Sequence, residues 1–283
     1  EFRTTFYHQG NGSNVSNPNE LFNSTTIGDV SDVQEKMYKP YRIEIVKNGQ
    51  GLKYVGVSLW NTVPLGNGQT FVPKASDMQL VYGSSVSVHD DSAVEYSYSS
   101  ATGNLLTVTN RGKVAGDSSG TFTDISGDTT TTTYTYATGS GVSVRGKVST
   151  ELTTDNSGTQ VAETRRYYDL LGLGSVSLGN ETKTETRVTT SAFIDTSVTY
   201  NSFGLPTQTK DANGNATNYL YDTFNLYPTT ITNAKNQSTT YTYAYKSGRP
   251  LTVTDANGQT SSFTYDGFGR TLSELSPDPV TPT

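Results

Sequence analysis

The chain has 283 residues, a formal net charge of −6 and only 32% hydrophobic residues, with a sequence pI near 5.0 and a mean hydropathy of −0.52. This acidic balance excludes the basic footprint that a nucleic-acid-binding domain needs, and no run approaches the roughly 20 apolar residues of a membrane helix. The absence of cysteine excludes a disulfide framework, a thiolate metal site and a cysteine nucleophile.

Taken from the start, Glu1 to His8 reads as a strand ended by Gly10-Asn-Gly12, and 10–19 is a Gly/Asn/Ser loop. One short helix is expected over 31–38, because Ser31 and Gln34 have the form of a capping box and Pro40 stops it. From Pro40 an alternating pattern takes over. Tyr41 to Val46 and Leu52 to Trp60 flank Asn48-Gly49-Gln50-Gly51 as a hairpin, and Thr70 to Val72, Met78 to Tyr82 and Val86 to His89 continue as strands. Beyond residue 90 the style changes. Tyr96-Ser-Tyr98 and Tyr134-Thr-Tyr136 look like strand ends, as does Tyr167-Tyr-Asp169, while Gly112 to Gly127 is polar and glycine-punctuated. Asp155-Asn-Ser-Gly158 reads as a turn, with Val142 to Thr150 and Val161 to Tyr168 as paired strands.

From Tyr200 the chain becomes a repeat. Asp211-Ala-Asn213-Gly214, Asn233-Ala-Lys-Asn236 and Asp255-Ala-Asn257-Gly258 recur every 22 residues, a period typical of repeat architectures. Between them stand Tyr200-Asn-Ser-Phe-Gly204, Tyr221-Asp222-Thr-Phe-Asn225, Tyr245-Lys-Ser-Gly248 and Tyr265-Asp266-Gly-Phe-Gly269-Arg270, with tyrosine gaps of 21, 24 and 20. Leu251 to Thr254 and Ser262 to Tyr265 alternate as strands do. Asn-Gly at the first set suits a tight turn with positive φ, and Asn225, Asn233 and Asn236 read as asparagines standing in for glycine. Each repeat is then two strands and two turns. One hairpin is marginal alone, so each leans on its neighbours, with Phe203, Phe224 and Phe268 expected to pack on the next hairpin.

Tyr265-Asp-Gly-Phe-Gly-Arg270, preceded by Thr252-Val-Thr-Asp-Ala-Asn-Gly258, resembles the YD repeat of the Rhs family, which includes bacterial polymorphic toxins, insecticidal toxin-complex components and teneurins. The match is specific over about 200–275 and degenerate before it. The order of elements upstream is similar to the region preceding the shell in toxin-complex B components. The resemblance implies an all-β fold of stacked antiparallel hairpins forming part of a curved sheet or β-shell. It divides the chain into a β-rich region at 1–90, degenerate repeats at 91–199 and regular repeats at 200–283. It further implies a fragment of a longer bacterial protein, secreted or at the cell surface. Its partners would be the neighbouring repeats and an enclosed C-terminal segment of the same polypeptide.

Chemistry finds little support in the residues. His8 and His89 are the only histidines and read as strand residues, with His89-Asp90-Asp91 as a solvated turn. No Gly-x-Ser-x-Gly elbow singles out a serine, and Asp211 and Asp255 read as turn-capping carboxylates. The turns lack the dense aspartates that calcium prefers. Asn-x-Ser/Thr triplets at Asn11, Asn14, Asn23, Asn180, Asn215 and Asn236 are expected by chance in such a composition. No catalytic residue, metal or cofactor is assigned. The expected role is a non-catalytic wall segment, with a surface adhesion module binding glycans or a partner protein as the alternative.

Overall fold

The structure, a computed structural model, describes residues 2–8, 39–65, 68–83, 88–117, 119–139 and 144–277. Among the described residues every regular element is a strand and none is a helix. The helix expected over 31–38 lies outside them. By contacts the chain divides into two units, Glu1–Tyr136 with Thr150–Glu163, and Ala137–Ser149 with Thr164–Thr283.

The first unit is an antiparallel meander of β1 (Phe2–His8), β2 (Pro40–Lys47), β3 (Gly51–Trp60), β6 (Lys74–Tyr82), β7 (His89–Tyr98) and β8 (Leu105–Gly116), each paired with the next. Two short strands, β4 (Val63–Pro64) and β5 (Thr70–Phe71), pair with each other between β3 and β6. β8 then carries β9 (Phe122–Asp124) on Val114–Gly116 and β10 (Thr130–Tyr136) on Thr107–Asn110. Strands β11 (Val148–Thr154) and β12 (Gln160–Tyr168) follow, joined by a turn at 155–158.

Alternation decides where the core sits. Val55 and Val57 of β3, Met78 and Leu80 of β6, Ala93 of β7 and Val114 of β8 all project to one face and are buried, with Leu52, Leu59, Tyr82 and Phe122 against them. Period-two spacing of β-branched and aliphatic residues places them there, since every second side chain shares a face. The reading of His89-Asp90-Asp91 as a solvated turn is overturned. β7 begins at His89, and Asp91 points inward, where its carboxylate accepts from Gly116 N at 2.9 Å and pairs with His89 Nδ1. A buried carboxylate needs such partners. Asp90, on the opposite face, meets Lys113 at 3.1 Å.

The second unit is itself an antiparallel meander and holds β13 (Glu181–Arg187), β14 (Phe193–Tyr200), β15 (Pro206–Lys210), β16 (Ala216–Tyr221), β17 (Pro228–Thr232), β18 (Ser238–Ala244), β19 (Arg249–Thr254), β20 (Thr260–Tyr265) and β21 (Thr271–Leu275). Every neighbouring pair is antiparallel, with Thr164–Tyr168 of β12 on β13. Its buried cluster is small: Ala137, Tyr168 and Val176, with Val144 against them. Along β15 to β20 no described residue is fully buried, so stability there comes from the ladder and from side chains of adjacent hairpins.

Candidate functional site

The feature that recurs through the second unit is the repeat hairpin, and its parts can be built from single residues. At one end, Asp211 N donates to Asn215 O at 3.1 Å and Gly214 N to Asp211 O at 2.9 Å. Gly214 has φ +80°, and only that residue of the loop is left-handed. This is a three-residue loop, a type I turn followed by a left-handed bulge, with the positive φ on the glycine of Asn-Gly. Asp211 Oδ1 closes it by accepting from Asn213 N and Asn215 N, both at 2.9 Å. Asp255 does the same for Asn257 N and Gln259 N at 2.9 and 2.8 Å.

Asn233 fills the aspartate's place, not a glycine's. Its Oδ1 accepts from Lys235 N and Gln237 N at 2.9 and 3.0 Å, and the left-handed residue is Asn236 at φ +60°. Reading Asn233 as a glycine substitute is therefore corrected, while Asn236 and Asn225 (φ +53°) do take that conformation.

The opposite turns use the same device. Asn201 Oδ1 accepts from Phe203 N and Leu205 N, Asp222 Oδ1 from Phe224 N and Leu226 N, and Asp266 Oδ1 from Phe268 N and Arg270 N. Gly204 and Gly269 supply the positive φ. The Arg270 guanidinium adds a 2.6 Å bond to Asp266 and lies over the Phe268 ring. These bonds favour the ionised form. The Leu226 N–H holds the Asp222 carboxyl below the usual carboxylate range, and the Arg270 N–H and side chain do the same for Asp266. Asp211 is lowered first by the Asn215 amide. Gly248 is left-handed too, but its turn closes on Ala244 O and has no such carboxylate.

Tyrosine hydroxyls tie each strand to the one before it. Tyr221 OH donates to Pro206 O at 2.9 Å, Tyr243 OH to Pro228 O at 2.9 Å and Tyr265 OH to Pro250 O at 2.6 Å, each reaching 15 residues back to the preceding strand and tying the open end of the hairpin that the aspartate or asparagine turn closes. Tyr200 OH reaches Glu181 O at 2.8 Å. In all four strands the ladder shifts register immediately before the tyrosine, which then faces Pro206, Pro228, Pro250 or Thr271. A β-bulge leaves a ladder bond unmade, and proline has no N–H to lose there. Burial raises the phenols of Tyr200, Tyr221 and Tyr243 above their ordinary values, which keeps them donors.

Tyr243 is therefore the equivalent of Tyr221 and Tyr265, and Tyr245 is not. Tyr221, Tyr243 and Tyr265 keep a strict 22-residue period, with Tyr200 21 residues before the first, and the gaps of 24 and 20 belong to Tyr245, two residues past Tyr243. Tyr245 instead lies at the turn, 5.7 Å from the Phe224 ring and 5.9 Å from Tyr227. Phe203 and Phe268 do not pack on the next hairpin: they are 70% and 89% exposed. Among the three turn phenylalanines, only Phe224 has a ring neighbour of this kind.

The two faces differ. One carries Tyr219, Tyr221, Tyr241, Tyr243, Phe263 and Tyr265, half-buried, with Tyr227 stacked on Tyr243 at 4.7 Å. The other carries cross-strand polar pairs, including Thr199–Thr207, Gln208–Asn218, Thr242–Thr252 and Thr264–Ser273 at 2.6–3.1 Å. Both devices also run outside the regular repeats, where the sequence reading did not unify them. Asp117 and Asp155 close Asp-x-x-Gly turns as Asp211 does. Tyr136 OH and Tyr168 OH reach Leu105 O and Val148 O at 2.7 Å. The signals available were Asp-x-x-Gly itself and prolines 206, 228 and 250, also 22 apart. Among the described residues, no group of three or more His, Cys, Asp or Glu side chains converges as metal ligands would.

The sequence model of the RHS Repeat matches residues 245–281. No curated protein matches the chain by sequence. Among solved structures, the crystal structures of TcdB2-TccC3 and of TcdB2-TccC3-Cdc42 superpose with TM-scores of 0.66 and 0.67 over 85% of this chain at 11% identity. That similarity concerns the fold, and the chain spans 17% and 16% of the length of those chains. The chain thus carries RHS repeat sequence on a fold shared with toxin-complex proteins, which is the Rhs/YD-repeat resemblance its own residues carry.

Proposed function

We propose that this chain is a non-catalytic wall segment of a β-shell, which encloses a C-terminal toxin or effector of its own polypeptide and helps deliver it from a bacterial cell. The observation that carries this reading is the hairpin key. Each repeat tyrosine bonds a carbonyl of the preceding strand and so ties the open end of its hairpin at a fixed step, which supports a sheet that grows without a second layer. The superposition on TcdB2-TccC3 supports a shell over an isolated flat sheet.

The mechanism is physical. A wall whose hydroxyls and amides already bond one another offers an enclosed chain few unpaired donors and acceptors, so cargo is held by confinement rather than by tight contacts. Delivery places the protein outside the cell or at its surface. A second reading, adhesion to glycans or a partner protein, is favoured by the exposed turn aromatics Phe203, Phe268 and Tyr245, since such rings offer contact area at low entropy cost. Intact mass of the complete gene product, purified under native and denaturing conditions, tests the first reading. A C-terminal fragment that co-purifies natively and separates on denaturation supports it. A single uncleaved chain that binds cells or glycans overturns it in favour of adhesion.

A further inference from the structure

The loop joining β12 to β13, residues 169–180, is built unlike any repeat turn. Asp169 and Leu170 are consecutive non-glycine residues with positive φ, +56° and +60°. A leucine there is strained. The strain is held by one carboxylate. Asp169 Oδ2 accepts from Ser177 N, Leu178 N and Gly179 N at 2.8–2.9 Å, and Oδ1 from Asn180 N at 2.9 Å. The loop is also pinned from below, with Thr138 N bonded to Gly174 O, Val176 N to Thr138 O, and Val176 set in the cluster with Ala137 and Tyr168.

What this rigid frame presents is apolar. Leu170 and Leu178 are 81% and 78% exposed, and Leu171 and Leu173 are exposed beside them. Strain that persists because its surroundings fix it points to a use for the strained residue. Charge narrows that use. In the described parts of 137–149 and 169–180 the charged side chains are Arg145, Lys147 and Asp169, and the Asp169 carboxylate is consumed by backbone N–H groups. Arg145 is exposed, and Lys147 lies over the Tyr168 ring, its stem against Gly179. Leucines on the loop, with Lys147 against Gly179 and Arg145 exposed two residues before it, complement one kind of surface: an apolar interior behind an anionic layer.

We infer that the 169–180 loop is a lipid-docking element, its leucines entering the acyl boundary of a bilayer while Arg145 and Lys147 meet anionic headgroups. The inference does not rest on the shell reading. Vesicle co-sedimentation of the full chain tests it, with phosphatidylcholine vesicles alone and with added phosphatidylserine. Binding is expected to both, tighter with phosphatidylserine. Leu170→Asn, chosen because asparagine tolerates the positive φ there, combined with Leu178→Asn abolishes it on both. Arg145→Gln or Lys147→Gln weakens only the phosphatidylserine increment, by about fivefold each. Hydrogen exchange at 177–180 verifies that the variants keep the Asp169 frame. Three results overturn the inference: no binding to either vesicle, binding unchanged in the leucine variant, or leucine-dependent self-association in sedimentation velocity without vesicles, which assigns the patch to a second copy.

Discussion

Replacing Tyr243 with phenylalanine isolates the hairpin key. The substitution keeps the ring that stacks on Tyr227 at 4.7 Å and removes only the hydroxyl, which donates to Pro228 O at 2.9 Å. A neutral hydrogen bond is worth about 1 kcal/mol net. Tyr243 is half-buried, so water partly replaces the lost donor and the cost stays near that figure. In a unit of this size, about 1 kcal/mol lowers Tm by about 4 °C. Tyr241→Phe is the control, since it lies on the same strand and face but outside the key, and should stay within about 0.5 kcal/mol of wild type. Urea unfolding followed by circular dichroism reads both. The triple variant Tyr221→Phe, Tyr243→Phe, Tyr265→Phe should lose about 3 kcal/mol if the three sites add. Equal losses for Tyr241→Phe and Tyr243→Phe, or none for the triple variant, would refute the key.

Three further outcomes are expected. Gly214→Ala has open space for its Cβ but keeps φ +80°, so it should cost about 1–2 kcal/mol from backbone strain alone, and Gly214→Asn less, as Asn236 shows is tolerated; chemical denaturation ranks them. In the first unit, Leu80→Ala should cost about 2–5 kcal/mol because Leu80 is fully buried, whereas exposed Leu220→Ala in the second should change little, and the two are separated by following each unit's unfolding with site-specific hydrogen exchange. Acid titration should weaken the turns. Burial opposes ionisation of Asp169, yet the N–H groups of Gly179, Ser177, Asn180 and Leu178 outweigh it and hold its carboxyl low, and Asp222 and Asp266 are also lowered. With folded values below unfolded ones, their stabilisation is whole above about pH 4 and is lost as pH falls through the depressed folded values. Melting temperature measured from pH 7 downward should therefore hold until that range and then drop, and less so in Asp266→Asn than in wild type.

The all-β fold and the hairpin period were legible because both are written in local chemistry. Strand alternation and Asp-x-x-Gly turns involve residues within a few positions of one another, so one sequence exposes them. The tyrosine key was harder to read. Tyr241, Tyr243 and Tyr245 are alike as residues; the 22-residue step from Tyr221 and to Tyr265 singles out Tyr243, and its bond to the Pro228 carbonyl on the preceding strand shows why. His89-Asp90-Asp91 misled for a similar reason: three polar residues resemble a turn until β8 brings Gly116 N to Asp91. Phe203 and Phe268 were expected to pack because large aromatics usually do, but the Asn201 amide and the Asp266 carboxylate close their turns and both rings are left exposed. The 169–180 loop gave no signal, since its Asp169 looks like every other YD aspartate and differs only in the distant N–H groups it gathers.

Electron cryo-microscopy of the complete gene product tests the shell most directly. A closed hollow shell should appear, with residues 200–275 as consecutive hairpins in its wall and cargo density inside. An open sheet or extended rod with no enclosed density would contradict encapsulation and leave the chain as an adhesion surface.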